Sequence, residues 1–220
     1  MSLTTQIIRR GGSVLDHIGL GVREMTEGCD WFQRRTGVQP WVIPEEGGDV
    51  GVRSGIALLG EGPHSIEIVA PDPAASEENP LVQRLRALTE PRLQFWYIAV
   101  EDIVRFDADV RASGLPFLLT PQSHRSGDGA YEYKRGFFGV PDMRQKAFAV
   151  PFVIQWITRP DRPIPESAGG CDLKEVWVEH NEPEETQALF DALELGVAVR
   201  RSAAPRPRLT INTPRGEVTL

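Results

Sequence analysis

A histidine and a glutamate, His17 in LDHIGLGV and Glu67 in HSIEIVA, stand inside runs that otherwise read as buried β-strands. Side chains alternate between the two faces of a strand. Ile18, Leu20 and Val22 therefore share one face, and Leu15, His17, Gly19 and Gly21 the other. The same split sets Ile66, Ile68 and Ala70 against Ser65, Glu67 and Val69. The greasy faces belong under a helix, so His17 and Glu67 both leave the helix side. If the two strands are neighbours, an imidazole and a carboxylate share one open sheet surface, the beginning of a site for Zn, Fe, Mn, Ni or Co. The bland alternative is the polar, solvated face that antiparallel sheets commonly show. Gly19, Gly21 and Val69 fit that alternative poorly, because glycines in a strand leave room for a ligand or another backbone.

The elements that must position this pair recur along the chain. LDHIGLGVREM from Leu15, LQFWYIAVEDI from Leu93 and LKEVWVEHNEP from Leu173 are offset by 78 and 80 residues. Each is a strand-like run, then an amphipathic helical pattern, then a glycine suited to close the helix in the left-handed conformation. The helical stripes are Met25, Cys29 and Phe32 before Gly37, then Ile103, Phe106 and Val110 before Gly114. In the third, Leu189, Phe190 and Leu193 follow Pro183 and precede Gly196. Runs such as GIALLGEGPHSIEIVA and RLTINTPRGEVTL read as hairpins. The implied unit is β-α-β-β-β, and the fold class is α+β. Expected boundaries are 1–90 for the first unit with a linker helix, 91–165 for the second, and 166–220 for a third, partial unit. In the linker, Asn79 caps, Pro80 takes the first helical position, and Leu81, Leu85 and Leu88 share a face. A second linker, TRPDRPIPESAGG, reads as extended over the surface.

Composition narrows the partners. The 220 residues carry a formal charge of −7 and a sequence pI near 5.2, which argues against nucleic acid. No apolar run reaches the length of a membrane span, so the expectation is a cytoplasmic protein without a membrane partner. Cys29 and Cys171 form no metal spacing and read as reduced core residues. Nucleophile-elbow, P-loop and dinucleotide fingerprints are absent.

The repeated β-α-β-β-β units, LDHIGLGV with its central His and IEIVAPDP with its central Glu resemble the vicinal oxygen chelate superfamily, and more narrowly its glyoxalase-like domain proteins. WFQRRTGVQP, GVRSGIALLG, RSGDGAYEYKRGFFG and PFVIQWI extend the likeness over most of the chain. The resemblance implies paired units forming a cupped open sheet or barrel. It also implies a divalent metal held by the first and last strands of each unit, with His17 and Glu67 as the first pair. By the 78-residue offset it places Phe95 at the position of His17, and Gln155 of VIQW opposite Glu67. Phe95 cannot bind a metal, so the implied ligand set is His17, Glu67 and Gln155 with open positions. Those positions suit a small substrate that chelates through adjacent oxygens. Lyase, isomerase and dioxygenase activities all occur on this scaffold. The other class is a metal-free small-molecule binding protein, with a pocket lined by Phe95, Tyr97 and Trp41.

Further candidates are His124 and Arg125 before the tight turn of RSGDG, as acid/base or anion-binding groups. Arg53 could hold a substrate carboxylate, and Glu132, between Tyr131 and Tyr133, serves as a base if it points inward. His64 and His180 lie near turns or strand ends, where most histidines are exposed and do nothing specific. In the third unit Glu175 matches His17 and Thr219 lies near the match to Glu67. An odd number of units leaves the third either packed beside the first two or paired with its twin in a homodimer.

Overall fold

Where a strand finds its partner decides which side chains meet, and in the first copy the first strand pairs with the last. The structure, a computed structural model, describes residues 14–44, 51–60, 64–112, 118–125, 132–139, 149–158 and 164–220. The first copy runs β1 (Val14–Gly21), α1 (Met25–Thr36), β2 (Trp41–Val42), β3 (Val52–Leu58) and β4 (Ser65–Pro71). Its strands lie in the order β2-β3-β4-β1, with β1 and β4 parallel and the β3–β4 hairpin antiparallel. After α2 (Pro80–Arg86), the second copy runs β5 (Arg92–Ala99), α3 (Ile103–Ala112), β6 (Leu118–Arg125), β7 (Glu132–Gly139) and β8 (Phe152–Thr158). It repeats the same order, β5-β8-β7-β6, with β5 and β8 parallel. The fold is α+β, built from repeated β-α-β-β-β units.

The third copy is complete rather than partial: β9 (Asp172–His180), α4 (Pro183–Ala192), β10 (Ala198–Arg201), β11 (Arg206–Thr213) and β12 (Gly216–Thr219). Its order, β10-β9-β11-β12, differs from the other two. Here the first strand pairs in parallel with the second, directly across α4. Glu175 therefore sits on an inner strand and Thr219 on the outer one, whose partner is β11. The chain divides into two compact units: His17–Gln94 with Ile164–Glu175 and Leu209–Leu220, and Met1–Asp16 with Phe95–Pro163 and Val176–Arg208.

Local chemistry accounts for the helices. In α1 the stripe Met25, Cys29 and Phe32 is buried and packs on β3 and β4. Its N-terminus is capped by Glu24, whose carboxylate accepts the amides of Thr26 and Glu27 at 3.0 and 2.8 Å; the Thr26 amide leads in holding that carboxyl below its ordinary range. Gly37 closes α1 at φ 81° with its amide on the Gln33 carbonyl, as its spacing predicts. Asn79 accepts from the amides of Leu81 and Val82, and Pro80 starts α2. The residues α2 buries are Val82 and Leu85, with Leu81 and Leu88 half-buried. In α3, Ile103 and Val110 are fully buried and Phe106 is half-buried; Gly114 lies outside the described residues. Cys29 and Cys171 are free and buried, and burial pushes both thiols up to about 11. No described helix is long and apolar enough to cross a membrane.

The end of α4 departs from expectation. Leu189, Phe190 and Leu193 form the buried stripe, but the left-handed residue is Glu194, at φ 53°, and not Gly196. The Leu195 amide reaches back to the Phe190 carbonyl at 2.8 Å, so the turn closes two residues earlier than the glycine. An L-residue in this region carries backbone strain that glycine does not. Glu194→Gly is accordingly expected to stabilise the fold by about 0.5–1 kcal/mol. A urea midpoint that fails to rise at unchanged slope would count against this reading.

Candidate functional site

The parallel register places His17 beside Ser65 and Gly19 beside Glu67. Ile18 pairs with Ile66 on the opposite face, and both are completely buried. The faces are thus those that alternation predicts, and the two polar side chains meet. His17 Nε2 lies 3.4 Å from Glu67 Oε2, with side chains 16% and 23% exposed. The other carboxylate oxygen accepts a hydrogen bond from the Ser54 hydroxyl at 2.6 Å. Ser54 is the residue sequence reasoning missed. Its signal was its position: β3 pairs antiparallel with β4, Ser54 opposite Val69, which puts it on the Glu67 face.

Arg53, one residue earlier, takes the other side. It shares a face with Gly55 and Ala57, where a Cβ on Gly55 would touch Met25 and Cys29 of α1, and it pairs with Ala70. The room expected at Gly21 is also occupied: a Cβ there would fall 2.5 Å from Gln94 Cγ and 2.8 Å from Leu85 Cδ2. That glycine serves close packing.

In the second copy the register keeps Phe95 at the position that the offset gave it but does not place Gln155 of VIQW at that of Glu67. Tyr97 pairs with Phe152 just as Gly19 pairs with Glu67, so Phe152 occupies the place of Glu67 and Phe95 that of His17. Phe95, Tyr97 and Phe152 instead form an aromatic cluster, with centroids 5.8 Å (Phe95–Tyr97), 6.3 Å (Phe95–Phe152) and 4.9 Å (Tyr97–Phe152) apart. Gln155 shares a face with buried Val153 and stands on the α3 side, where its carbonyl oxygen accepts the Ile103 amide at 3.2 Å. With Asp102 accepting from Val104 and Arg105, it completes the cap of α3. The carbonyl that the resemblance assigned to a metal is therefore engaged by a helix terminus.

His124 and Arg125 stand at the end of β6 in register with Tyr133 and Glu132 of β7, as the hairpin reading requires. Their side chains, the turn between them and Tyr131 lie outside the described residues. Glu132 is half-buried beside an irregularity in the β7–β8 register. Trp41 is half-buried on β2 opposite Ile56, and Glu175 is half-buried on β9. His64 is half-buried, but His180 is fully buried, against expectation. Its Nδ1 accepts the Glu182 amide at 3.0 Å just before α4, which puts the ring proton on Nε2. Asp16 is a further buried carboxylate not singled out from sequence; it accepts the Trp156 indole N–H at 2.9 Å.

The donor set suits a divalent ion as an open platform. Two ligands on one tetrahedral ion at about 2.1 Å stand about 3.4 Å apart, which is the observed separation of His17 Nε2 and Glu67 Oε2. Among the described residues no group of three or more His, Cys, Asp or Glu that could hold a metal ion comes together.

Residues 15–194 match the glyoxalase-like domain family. The chain belongs to that family. The resemblance read from LDHIGLGV and IEIVAPDP is thereby borne out. This glyoxalase-like chain matches no curated protein, but solved structures align with it. A hypothetical protein from Staphylococcus aureus aligns with TM-score 0.61 at 9% identity, covering 88% of each chain. Methylmalonyl-CoA epimerase from Mycobacterium tuberculosis aligns with TM-score 0.46 at 18% identity, over 66% of this chain and 88% of that one. A Streptomyces coelicolor methylmalonyl-CoA epimerase in complex with 2-nitronate-propionyl-CoA aligns with TM-score 0.44 at 16% identity, over 66% and 96%.

Proposed function

We propose that this glyoxalase-like protein is an enzyme acting on a small, oxygen-rich metabolite at a divalent ion held by His17 and Glu67. What carries the reading is the His17–Glu67 pair itself, 3.4 Å apart on one sheet face. Ser54 fixes the far oxygen of Glu67, leaving the near one to face the imidazole. Fixing both side chains in advance lowers the ordering cost of binding there. When bound, the ion would supply Lewis-acid polarisation of a substrate carbonyl. A platform of two protein ligands leaves the remaining positions to solvent and substrate, which suits a substrate presenting two neighbouring oxygens. Lyase, isomerase and dioxygenase chemistry are all compatible with it.

The test is thermal unfolding of untagged protein with Zn, Mn, Ni or Co. A ligand that binds only the folded form at a hundred times its Kd adds about 2.7 kcal/mol. Wild type is expected to show a rise in Tm with at least one of these ions, and Glu67→Gln to show none. A wild-type Tm indifferent to all four overturns the metal reading. The second reading, a metal-free binding protein, is supported by the aromatic cluster of Phe95, Tyr97 and Phe152, which takes the register positions of a ligand pair and offers planar apolar surface.

A further inference from the structure

The segment from Arg200 to Arg208, RRSAAPRPR, has four arginines and no acidic residue in a chain of net charge −7. The sheet sorts those arginines by face. Arg201 lies beside His180 in the β9–β10 register and turns to α4, donating to the Asn181 carbonyl and the Glu184 carboxylate. Arg200, its neighbour, lies beside Glu179 and so faces the other way, with Trp177 and Glu179. Arg206 and Arg208, two apart on β11, reach the same face. Arg206 Nε donates to Glu179 Oε2 at 2.5 Å.

Trp177 is the floor of this face. It is 7% exposed, with the Arg200 guanidinium 4.3 Å and the Arg208 guanidinium 5.9 Å from its ring centroid. Closeness to the indole favours both cations. Glu175 shares this face by alternation along β9, and Glu179 is engaged by Arg206. Arg208 Nε forms an ion pair with Glu179 Oε1 at 3.7 Å, beyond hydrogen-bond length, and is buried with no hydrogen-bond partner among the described residues. A buried guanidinium N–H without a hydrogen-bond acceptor is costly, and guanidinium groups gathered around one indole suit an oxyanion.

We propose that this face of the third copy is a binding site for an oxyanion, the phosphate or carboxylate group of a small molecule, held by Arg208 and Arg200 over Trp177. It stands independently of the His17–Glu67 reading. Isothermal titration of the full chain at low salt with inorganic phosphate, and separately with succinate, tests it. One-to-one binding of either anion is expected, about tenfold weaker in Arg208→Gln. Arg208→Lys, which keeps charge but loses the planar fork, is expected to fall between, and Arg201→Gln to match wild type. Tighter phosphate binding supports a phosphoryl group as the natural ligand; tighter succinate binding supports a carboxylate. Binding of neither anion overturns the proposal. So does undiminished affinity in both Arg208 variants, or an equal loss in Arg201→Gln, which would mark a diffuse charge effect.

Discussion

Ile18→Ala is expected to lower stability by about 2–5 kcal/mol, whereas His17→Ala, one residue away, costs about 1 kcal/mol and abolishes the response to metal. Ile18 is completely buried and paired with the equally buried Ile66. Removing three carbons there leaves a cavity that the β1–β4 pair cannot close without losing its register. His17 points to the other face, is partly exposed, and gives up one polar contact with Glu67. Urea unfolding of both variants separates the two contributions, and metal-dependent Tm shifts separate the functions. If His17→Ala loses as much stability as Ile18→Ala, the imidazole is part of the framework and the metal reading fails with it.

Trp96→Ala should be more damaging still, costing about 3–5 kcal/mol. The indole is completely buried, its N–H donates to the Ala149 carbonyl at 3.1 Å, and its ring meets Phe190 of α4 edge-on at 5.7 Å. Truncation removes the packing, the edge-to-face contact and the partner of a carbonyl at once. Trp96→Phe keeps much of the ring but still strands that carbonyl, so about 1–3 kcal/mol is expected. Denaturant midpoints for the two variants should fall in that order below wild type. An alanine variant within about 1 kcal/mol of wild type would show that the indole is not a keystone of its unit.

Much of this architecture could be read from residue order. Alternation in LDHIGLGV and HSIEIVA assigned the faces of β1 and β4, the 3–4 spacing of Met25, Cys29 and Phe32 assigned the buried side of α1, and Asn79-Pro80 marked the start of α2. These are local rules with local causes. Gln155 shows where they stop: strands align by hydrogen-bond register and not by the likeness of a motif, and a longer stretch precedes β8 than precedes β4. Once the Tyr97–Phe152 register is known, the position of Glu67 falls to a phenylalanine, and Gln155 to a helix cap. Ser54 was hidden for a related reason, since its contact with Glu67 depends on the register of the β3–β4 hairpin. Glu194 took the left-handed turn expected of Gly196 because the helix closed by its own backbone bond before reaching the glycine. The strand order of the third copy left no mark at all, because its elements follow one another exactly as in the first two.

That reordering changes how far the chain must search to assemble each copy. Ala198 pairs with Trp177, 21 residues earlier, whereas Ser65 pairs with His17 across 48 residues and Phe152 with Tyr97 across 55. Closing a loop costs about 0.6 kcal/mol more for each doubling of its length, and pairing of distant segments slows folding. The parallel β9–β10 pair, bridged only by α4, therefore meets the smallest entropic barrier of the three, although it is the last to be synthesised. The carboxy-terminal repeat can organise around a short crossover while the two earlier repeats still have their distant last strands to bring home.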